Sequence, residues 1–477
     1  MRRLRSAALG AACLLLLAAD ASAAGLYFSD RGARPLARGG AFVAGADDLG
    51  AIWYNPAGIV DAPSGILFDA TWLHYTSEFT RQAQTTSATG TTFVQSFPTV
   101  DGSTPVLPVP TLAGSYRFGD QQQYAVALGM YAPMVPVTTY PQTIGSAGTT
   151  PAPQRYSLVS LDGSLLVVTG AWFAWRPIEQ LRVGAGFQAL VGTFKSTVDF
   201  SACPPDNLVC AGEAPAYDAF SQLNVGPIVS PSGNIGATYV PMKKVRIGAS
   251  AQLPFVVDAP AKVDVRLPTA VEFDNAYQKG DDARVKFTLP AVARIGVEVR
   301  PLDDAHDLRI ELAYVREFWS EQQSIAITPT DIQLYKINGF PSPFGVSPIS
   351  IPRGGQDSNS IRLGGEYKLP IDDYFLQLRA GFAYESSGIQ TAYVSPLTID
   401  SDKYTAALGG GLFIGKHWRF DAVYAHVFMA DVTVSPAQAA VPRVNPVQGN
   451  PTQTAAVNGG HYSAGADAIG VGLQYAF

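Results

Sequence analysis

The residues of this 477-residue sequence that could do chemistry are five histidines, a cysteine pair, one glycine-rich hexapeptide and a recurring set of Arg and carboxylate residues. His74, His306, His417, His426 and His461 share no metal-ligand spacing, whereas structural zinc sites bring ligands in close sequence pairs. No metal is expected. Gly184-Ala185-Gly186-Phe187-Gln188-Ala189 fits the dinucleotide pattern GxGxxA, which binds phosphate only between a strand and a following helix. Here it lies inside an alternating run with no helix signal after it, so small residues on an inner face explain it better. No Walker loop or nucleophile elbow occurs. A lipase built into strands would need a Ser and a His on neighbouring strands facing one side, and no such pair can be located. The chain is read as a non-enzyme without a cofactor. Cys203 and Cys210 bound the loop CPPDNLVC. In an oxidising compartment two such residues form a local disulfide, and a metal would need further ligands that the neighbourhood lacks.

The Arg and carboxylate residues are placed by period. Strand side chains alternate between two faces, and the charges fall on one face of many such runs. Arg294 and Glu298 lie opposite Ile295, Val297 and Val299; Arg309 and Glu311 lie opposite Leu308, Ile310 and Leu312. Arg362 and Glu366 alternate with Ile361, Leu363 and Tyr367, Arg379 with Leu376, Leu378 and Phe382, and Arg419 and Asp421 with Trp418, Phe420 and Tyr424. Several runs exceed the roughly ten residues that a tilted strand needs to cross a bilayer, whereas strands of soluble sandwiches average about five or six. Charged residues are only 15% of the chain and hydrophobic ones 47%, with no late apolar run long enough for a spanning helix. That balance suits a transmembrane β-barrel, in which apolar residues fill every second position and never form a block. The charges would then face the lumen.

Counting the runs gives fourteen, near 65–76, 111–119, 123–132, 155–175, 180–199, 228–240, 244–257, 284–300, 308–328, 358–368, 374–386, 402–414, 417–434 and 463–477. Connections alternate strictly between long segments rich in Pro, Gly, Ser and Thr and short ones such as GDQQQ, RPIEQ and LPIDD. Outer-membrane barrels pair short periplasmic turns with long outer loops. An even strand number then puts both termini in the periplasm. The N-terminus reads as a cleavable signal over 1–23, with Arg2, Arg3 and Arg5 before an apolar stretch and Ala21-Ser22-Ala23 at the cleavage site. Its removal takes away those three Arg and Asp20, moving the formal net charge from −6 to −8, which argues against nucleic acid as a partner. Residues 24–64, dense in small and apolar residues but broken repeatedly, fit no spanning strand. They are expected to fold as a plug within the lumen of a barrel over 65–477, since a barrel of this size has room for one. The last run, IGVGLQYAF, puts Ile469, Val471, Leu473, Tyr475 and Phe477 on one face. Its terminal Phe477 resembles the signal read by the barrel assembly machinery.

Taken together, the chain resembles the FadL-type family of outer-membrane transporters for long-chain fatty acids and aromatic hydrocarbons. The resemblance rests on AGLYF at the mature start, Asp47-Asp48 followed by WYNPAG (53–58), ALGMYAP (127–133) and RYSLVSLDGSL (155–165). It continues through LPAVARIGVEVRP (289–301), FWS (318–320), RLGGEY (362–367), LRAGFAY (378–384) and the closing IGVGLQYAF. It implies a fourteen-stranded antiparallel barrel plugged by an N-terminal hatch, with Asn55, Pro56 and Ala57 as the hatch motif. It also implies an inward kink in the third strand, carried here by Gly129, Tyr131 and Pro133, that opens a lateral hole. A hydrophobic ligand, a fatty acid or hydrocarbon, would pass from outer loops to the hatch and leave sideways into outer-membrane lipid. The expected protein is a monomer that conducts passively. A general polar porin and a structural or adhesive barrel are the competing readings.

Overall fold

The computed structural model describes residues 28–86, 90–106, 108–133, 135–203, 213–302, 307–371, 374–447 and 455–477. The expected signal segment 1–23 and Cys210 lie outside the described residues. Among these residues fourteen antiparallel strands close into one ring. They are β1 Gly65–Thr86, β2 Pro108–Phe118, β3 Tyr124–Tyr131, β4 Leu165–Ile178, β5 Leu181–Ser201 and β6 Asp218–Met242. Next come β7, Val245–Gln252 continued by Phe255–Arg266, β8, Asp282–Leu289 continued by Val292–Val299, and β9, Leu308–Glu317 continued by Ser324–Pro329. The last are β10 Ser358–Ile371, β11 Tyr374–Glu385, β12 Lys403–Ile414, β13 Trp418–Met429 and β14 Gly460–Ala476. Closure is visible at Ile66, which pairs with Gly114 of β2 on one side and Tyr475 of β14 on the other. Closing the ring removes the edges that hydrocarbon could not satisfy.

The strand breaks have local causes. β7 and β8 are interrupted side by side at Pro254 and Pro290, where each proline removes a ladder donor. The fourth strand begins at Leu165 rather than near 155; residues 155–164 instead turn inside the outer loops, with Asp162-Gly163 making a tight turn at Gly163 (φ 82°). β1, β5 and β6 run for 22, 21 and 25 residues, well beyond the roughly ten that span hydrocarbon, so their outer ends stand clear of the bilayer and wall the long-loop side.

The two faces divide as period two requires. In β10, Ile361 and Leu363 are 57% and 50% exposed while Arg362 and Glu366 are buried. In β14, Ile469, Val471 and Tyr475 point outward and Gly470, Gly472 and Gln474 inward. At the short-turn rim the outward aromatics pack together, Phe118 stacked on Tyr124 (5.4 Å) and Trp418 tilted against Tyr475 (4.6 Å), a clustering like the aromatic girdles of a membrane interface.

Inside the ring lies the N-terminal segment. From Ser29 to Ala62 every residue except Asp47 and Asp61 is buried. It carries α1 Ala33–Ala37, α2 Ala51–Tyr54 and a 3-10 turn, Pro56–Val60. Gly39 and Gly40, at φ 60° and 73°, end α1 with a backbone that other residues rarely adopt. A Cβ on Gly39 would also meet the Phe382 amide nitrogen at 2.7 Å.

Candidate functional site

The motif Asn55-Pro56-Ala57 sits at the start of the 3-10 turn. Asn55 is extended (φ −161°, ψ 101°), as a residue before proline prefers, and its Oδ1 accepts from Ala57 N at 3.2 Å. Its Nδ2 donates to Val43 O (2.8 Å), Ala237 O (3.1 Å) and Thr238 Oγ1 (3.0 Å). One fully buried amide thus ties the segment to itself and to β6. The turn is seated by two glycines facing inward from adjacent strands. A Cβ on Gly184 of β5 would strike the Pro56 carbonyl carbon, and one on Gly236 of β6 would strike Asn55 Oδ1. This seating leaves Gly129 of β3 against its ladder neighbours, where a Cβ would first meet Leu112 O and Ala113. It also explains the dinucleotide-like hexapeptide, whose glycines make room for the N-terminal segment and for the Trp172 ring.

On the opposite side the segment is held by charge. Arg34 binds Asp47 (2.7 Å), Asp48 (3.1 Å) and Glu366 (2.6 Å). Arg38 binds Glu298 (3.0 Å) and Glu311 (3.1 Å), and Glu311 also accepts from the amides of Val43, Ala44 and Gly45. Arg309 reaches Asp47, and Arg419 bridges Asp48 and Asp421, each at 2.7 Å. Arg379 joins Asp421 to Glu366, Arg362 pairs with Asp30 and Glu385, and Arg294 lies over the Trp53 ring at 4.3 Å. The nine lumen charges read from the strands therefore form, with Arg34, Arg38, Asp30, Asp47 and Asp48, a network around the segment. Burial pushes the Asp47 carboxyl up, but Arg34 and Arg309 outweigh it and hold it well below the usual carboxylate range. Asp48 is lowered in the same way by Arg419 and Arg34. Arg34 and Arg38 were not singled out in the sequence because the segment that carries them has no regular period.

The third-strand residues separate. Gly129 stays in the ladder, paired with Ala113 and Gly170. Tyr131 is the last paired residue; its ring lies 5.4 Å from Trp53 and its hydroxyl donates to Gln188 Oε1 at 3.1 Å. Pro133 follows and cannot donate, so the ladder stops and the chain turns inward. Arg31 of the N-terminal segment braces that departure by donating to Ala132 O at 3.3 Å. Beyond it, no ladder pair among the described residues joins Pro108–Pro110 of β2 to Leu165–Val167 of β4. The breach opens into a pocket of about 770 Å³, lined by Val109, Pro110, Pro133, Val135, Pro136 and Leu165 among others.

Two more pockets lie inward and outward of it. An inner one of about 500 Å³ lies beside Phe28 and Tyr75 and shares Val135, Pro136 and Leu161 with the wall pocket. Its polar end holds Thr398, Asp400 and Lys403, with Lys403 Nζ on Asp400 (2.8 Å) and Glu385 (3.2 Å). An outer pocket of about 850 Å³ is almost wholly apolar, formed by Val198 and Phe200 of β5, Leu223 of β6, Val263 of β7 and Ile349 and Ile351 of an outer loop. Cys203 is disulfide-bonded close by; Cys210, its expected partner, lies outside the described residues. The pockets escaped the sequence reading because loops far apart in the chain line them. One signal was present: the outer halves of β5 and β6 carry apolar residues on the inner face, where their lower halves carry Gly, Gln and Asn.

A family model described as outer membrane protein transport protein (OMPP1/FadL/TodX) matches residues 14–477. Solved structures share the fold. A FadL homologue of Pseudomonas aeruginosa is 16% identical, with 95% of this chain and 100% of that one covered and a TM-score of 0.67. The toluene transporter TodX of P. putida is 16% identical over 94% and 99%, at 0.61. The toluene transporter TbuX of Ralstonia pickettii is 18% identical over 94% and 99%, at 0.59. No curated relative matches the sequence.

Proposed function

Since this chain belongs to the OMPP1/FadL/TodX family of outer-membrane transport proteins, we propose that hydrophobic molecules cross it by a side exit and never traverse an aqueous pore. The ligand enters the apolar outer pocket, moves to the inner pocket beside Phe28, and leaves through the breach between β2 and β4 into lipid. Long-chain fatty acids or hydrocarbons fit this route, and the FadL homologue and the toluene transporters named above are similar in fold. The observation that carries the reading is that the inner and wall pockets share Val135, Pro136 and Leu161. The ion-pair network around residues 28–62, here the hatch, opposes a polar porin because it fills the lumen with buried ion pairs.

The remaining assignments extend this reading. Residues 1–23 act as the signal, the termini face the periplasm, Phe477 is read by the assembly machinery, the barrel works as a monomer, and Cys203 pairs with Cys210. The direct test is Val135→Arg, which puts a charge where the two pockets meet. Uptake of radiolabelled palmitate and toluene by cells should fall at least tenfold while heat-modifiable gel mobility and bilayer conductance stay as in wild type. Unchanged uptake of both compounds would refute the lateral route.

A further inference from the structure

The connection from β13 to β14 reaches across the mouth of the barrel. In the closed ring β13 stands opposite β6, yet Pro446 and Val447 of this connection line the outer pocket against the inner faces of β5, β6 and β7. The inner pocket lies on the connection's own side, beside Tyr75 of β1, Lys403 of β12 and Met429 of β13. Its near end is firmly based. Val441 N donates to Asn458 Oδ1 (2.9 Å), Val457 N to Val441 O (2.9 Å) and Arg443 N to Ala455 O (3.1 Å). Asn458, fully buried, donates in turn from Nδ2 to Ala392 O and Val394 O, each at 2.8 Å. Two residues further on, Pro396 begins the stretch that lines the inner pocket. The far end is held differently. Residues 443–447 belong to no strand, and Pro442 and Pro446 have no amide to donate. Ser201 N donates to Val444 O (3.0 Å), and Asn445 Nδ2 donates to Cys203 O (2.9 Å). The rest of the seat is apolar: Val447 packs with Ala202, Ala219 and Phe273, which line the same pocket.

A fixed base and an apolar seat make this segment a strap. Apolar contact is non-directional, so an apolar ligand entering the outer pocket replaces the contacts of Pro446 and Val447 at little net cost. The bonds to Ser201 and Cys203 are then what must open, and irregular backbone tied by few bonds opens at low free energy. We propose that residues 443–447 gate the transport route. Seated, they close the outer pocket toward the lumen; lifted about the base at Val441, they let the ligand cross to the inner pocket. The gate acts on any apolar molecule, since no charged residue among those described lines the outer pocket. This rests on the reading that the two pockets are successive stations of the ligand.

The test locks the strap and then loosens it. Ser201→Cys with Val444→Cys, made in a Cys203→Ser, Cys210→Ser background, should lock it, because the bond between their main chains sets them within reach of a disulfide. Cells carrying the oxidised protein should take up radiolabelled toluene and palmitate about tenfold more slowly or less, as a closed gate implies, and dithiothreitol should restore the rate in the same cells. Asn445→Ala should free the far end without touching the pocket wall. Stopped-flow fluorescence of N-phenyl-1-naphthylamine on the full-length protein in detergent should then show binding and release both faster by about tenfold, as loss of one buried hydrogen bond implies. Affinity should stay nearly unchanged. A residue that only braces the wall would speed release alone. Equal uptake by the oxidised and reduced lock, or faster release alone in Asn445→Ala, would overturn the gate and leave the route standing. If wild type neither binds the naphthylamine nor takes up either compound, the route itself fails.

Discussion

At the scale of single residues, the side chains that matter here are those with nowhere else to bond. Asn55 is the clearest: its buried amide serves three acceptors and one donor. Asn55→Ala should cost about 1–3 kcal/mol, the penalty for stranding buried polar groups, seen as a lower unfolding temperature in gel-shift melts. An unchanged melting profile would show that the amide only fills space. The two acids of the hatch allow a pH prediction with a definite sign. Their carboxyls are lowered in the folded state, so their contribution is complete above the unfolded value near 4 and is lost only as pH falls through the depressed folded values. Bilayer conductance should therefore be flat from pH 8 to pH 5; a rise within that window would mean that other groups hold the hatch. At this scale the sequence was half legible. Arg362, Glu366 and Arg419 announced their side by period, whereas their partners Asp30, Arg34 and Asp48 sit in a segment whose only signals are small residues and turns.

At the scale of elements, the strands were legible because lipid enforces a strict rule on them. Each outward position must be apolar, so a miscounted register would have placed charges such as Arg379 or Asp421 in hydrocarbon. The rule can be tested on the last strand, where Val471 points outward between Ala70 and Ala422. Val471→Arg should destabilise the barrel by about 2–4 kcal/mol if it lies at the bilayer midplane, measured by urea unfolding in lipid vesicles. Folding as stable as wild type would mean that the face assignment is inverted. What stayed illegible were features made by absence. The breach exists because β3 stops at Tyr131 while β2 and β4 run on, and a missing pair leaves no mark in any one segment. Nor did alternation separate true strand from the 155–164 segment, which alternates yet turns inside the loops, because period two reports facing and not pairing.

At the scale of the whole molecule, ring and hatch form one cooperative object. Arg34 alone links Asp47, Asp48 and Glu366, so Arg34→Met should weaken hatch docking by about 3–5 kcal/mol, the cost of breaking a buried ion pair from one side. Single-channel recordings should then show frequent open events that wild type lacks; recordings as quiet as wild type would place the lock elsewhere. The same network has a consequence in time. Asp48 is separated from Arg419 by 371 positions and Arg34 from Glu366 by 332, so the part of the described chain made first must wait longest for its partners. Contacts of such separation form late because a long loop has to close before they return any stability. Until β13 is in place, Asp48 lacks Arg419 and the ring lacks the neighbour that holds β14. Docking of the first segment and closure of the last seam thus belong to one terminal event, and a chain stalled before it would carry its unpaired charges in plain view of the cell's proteases.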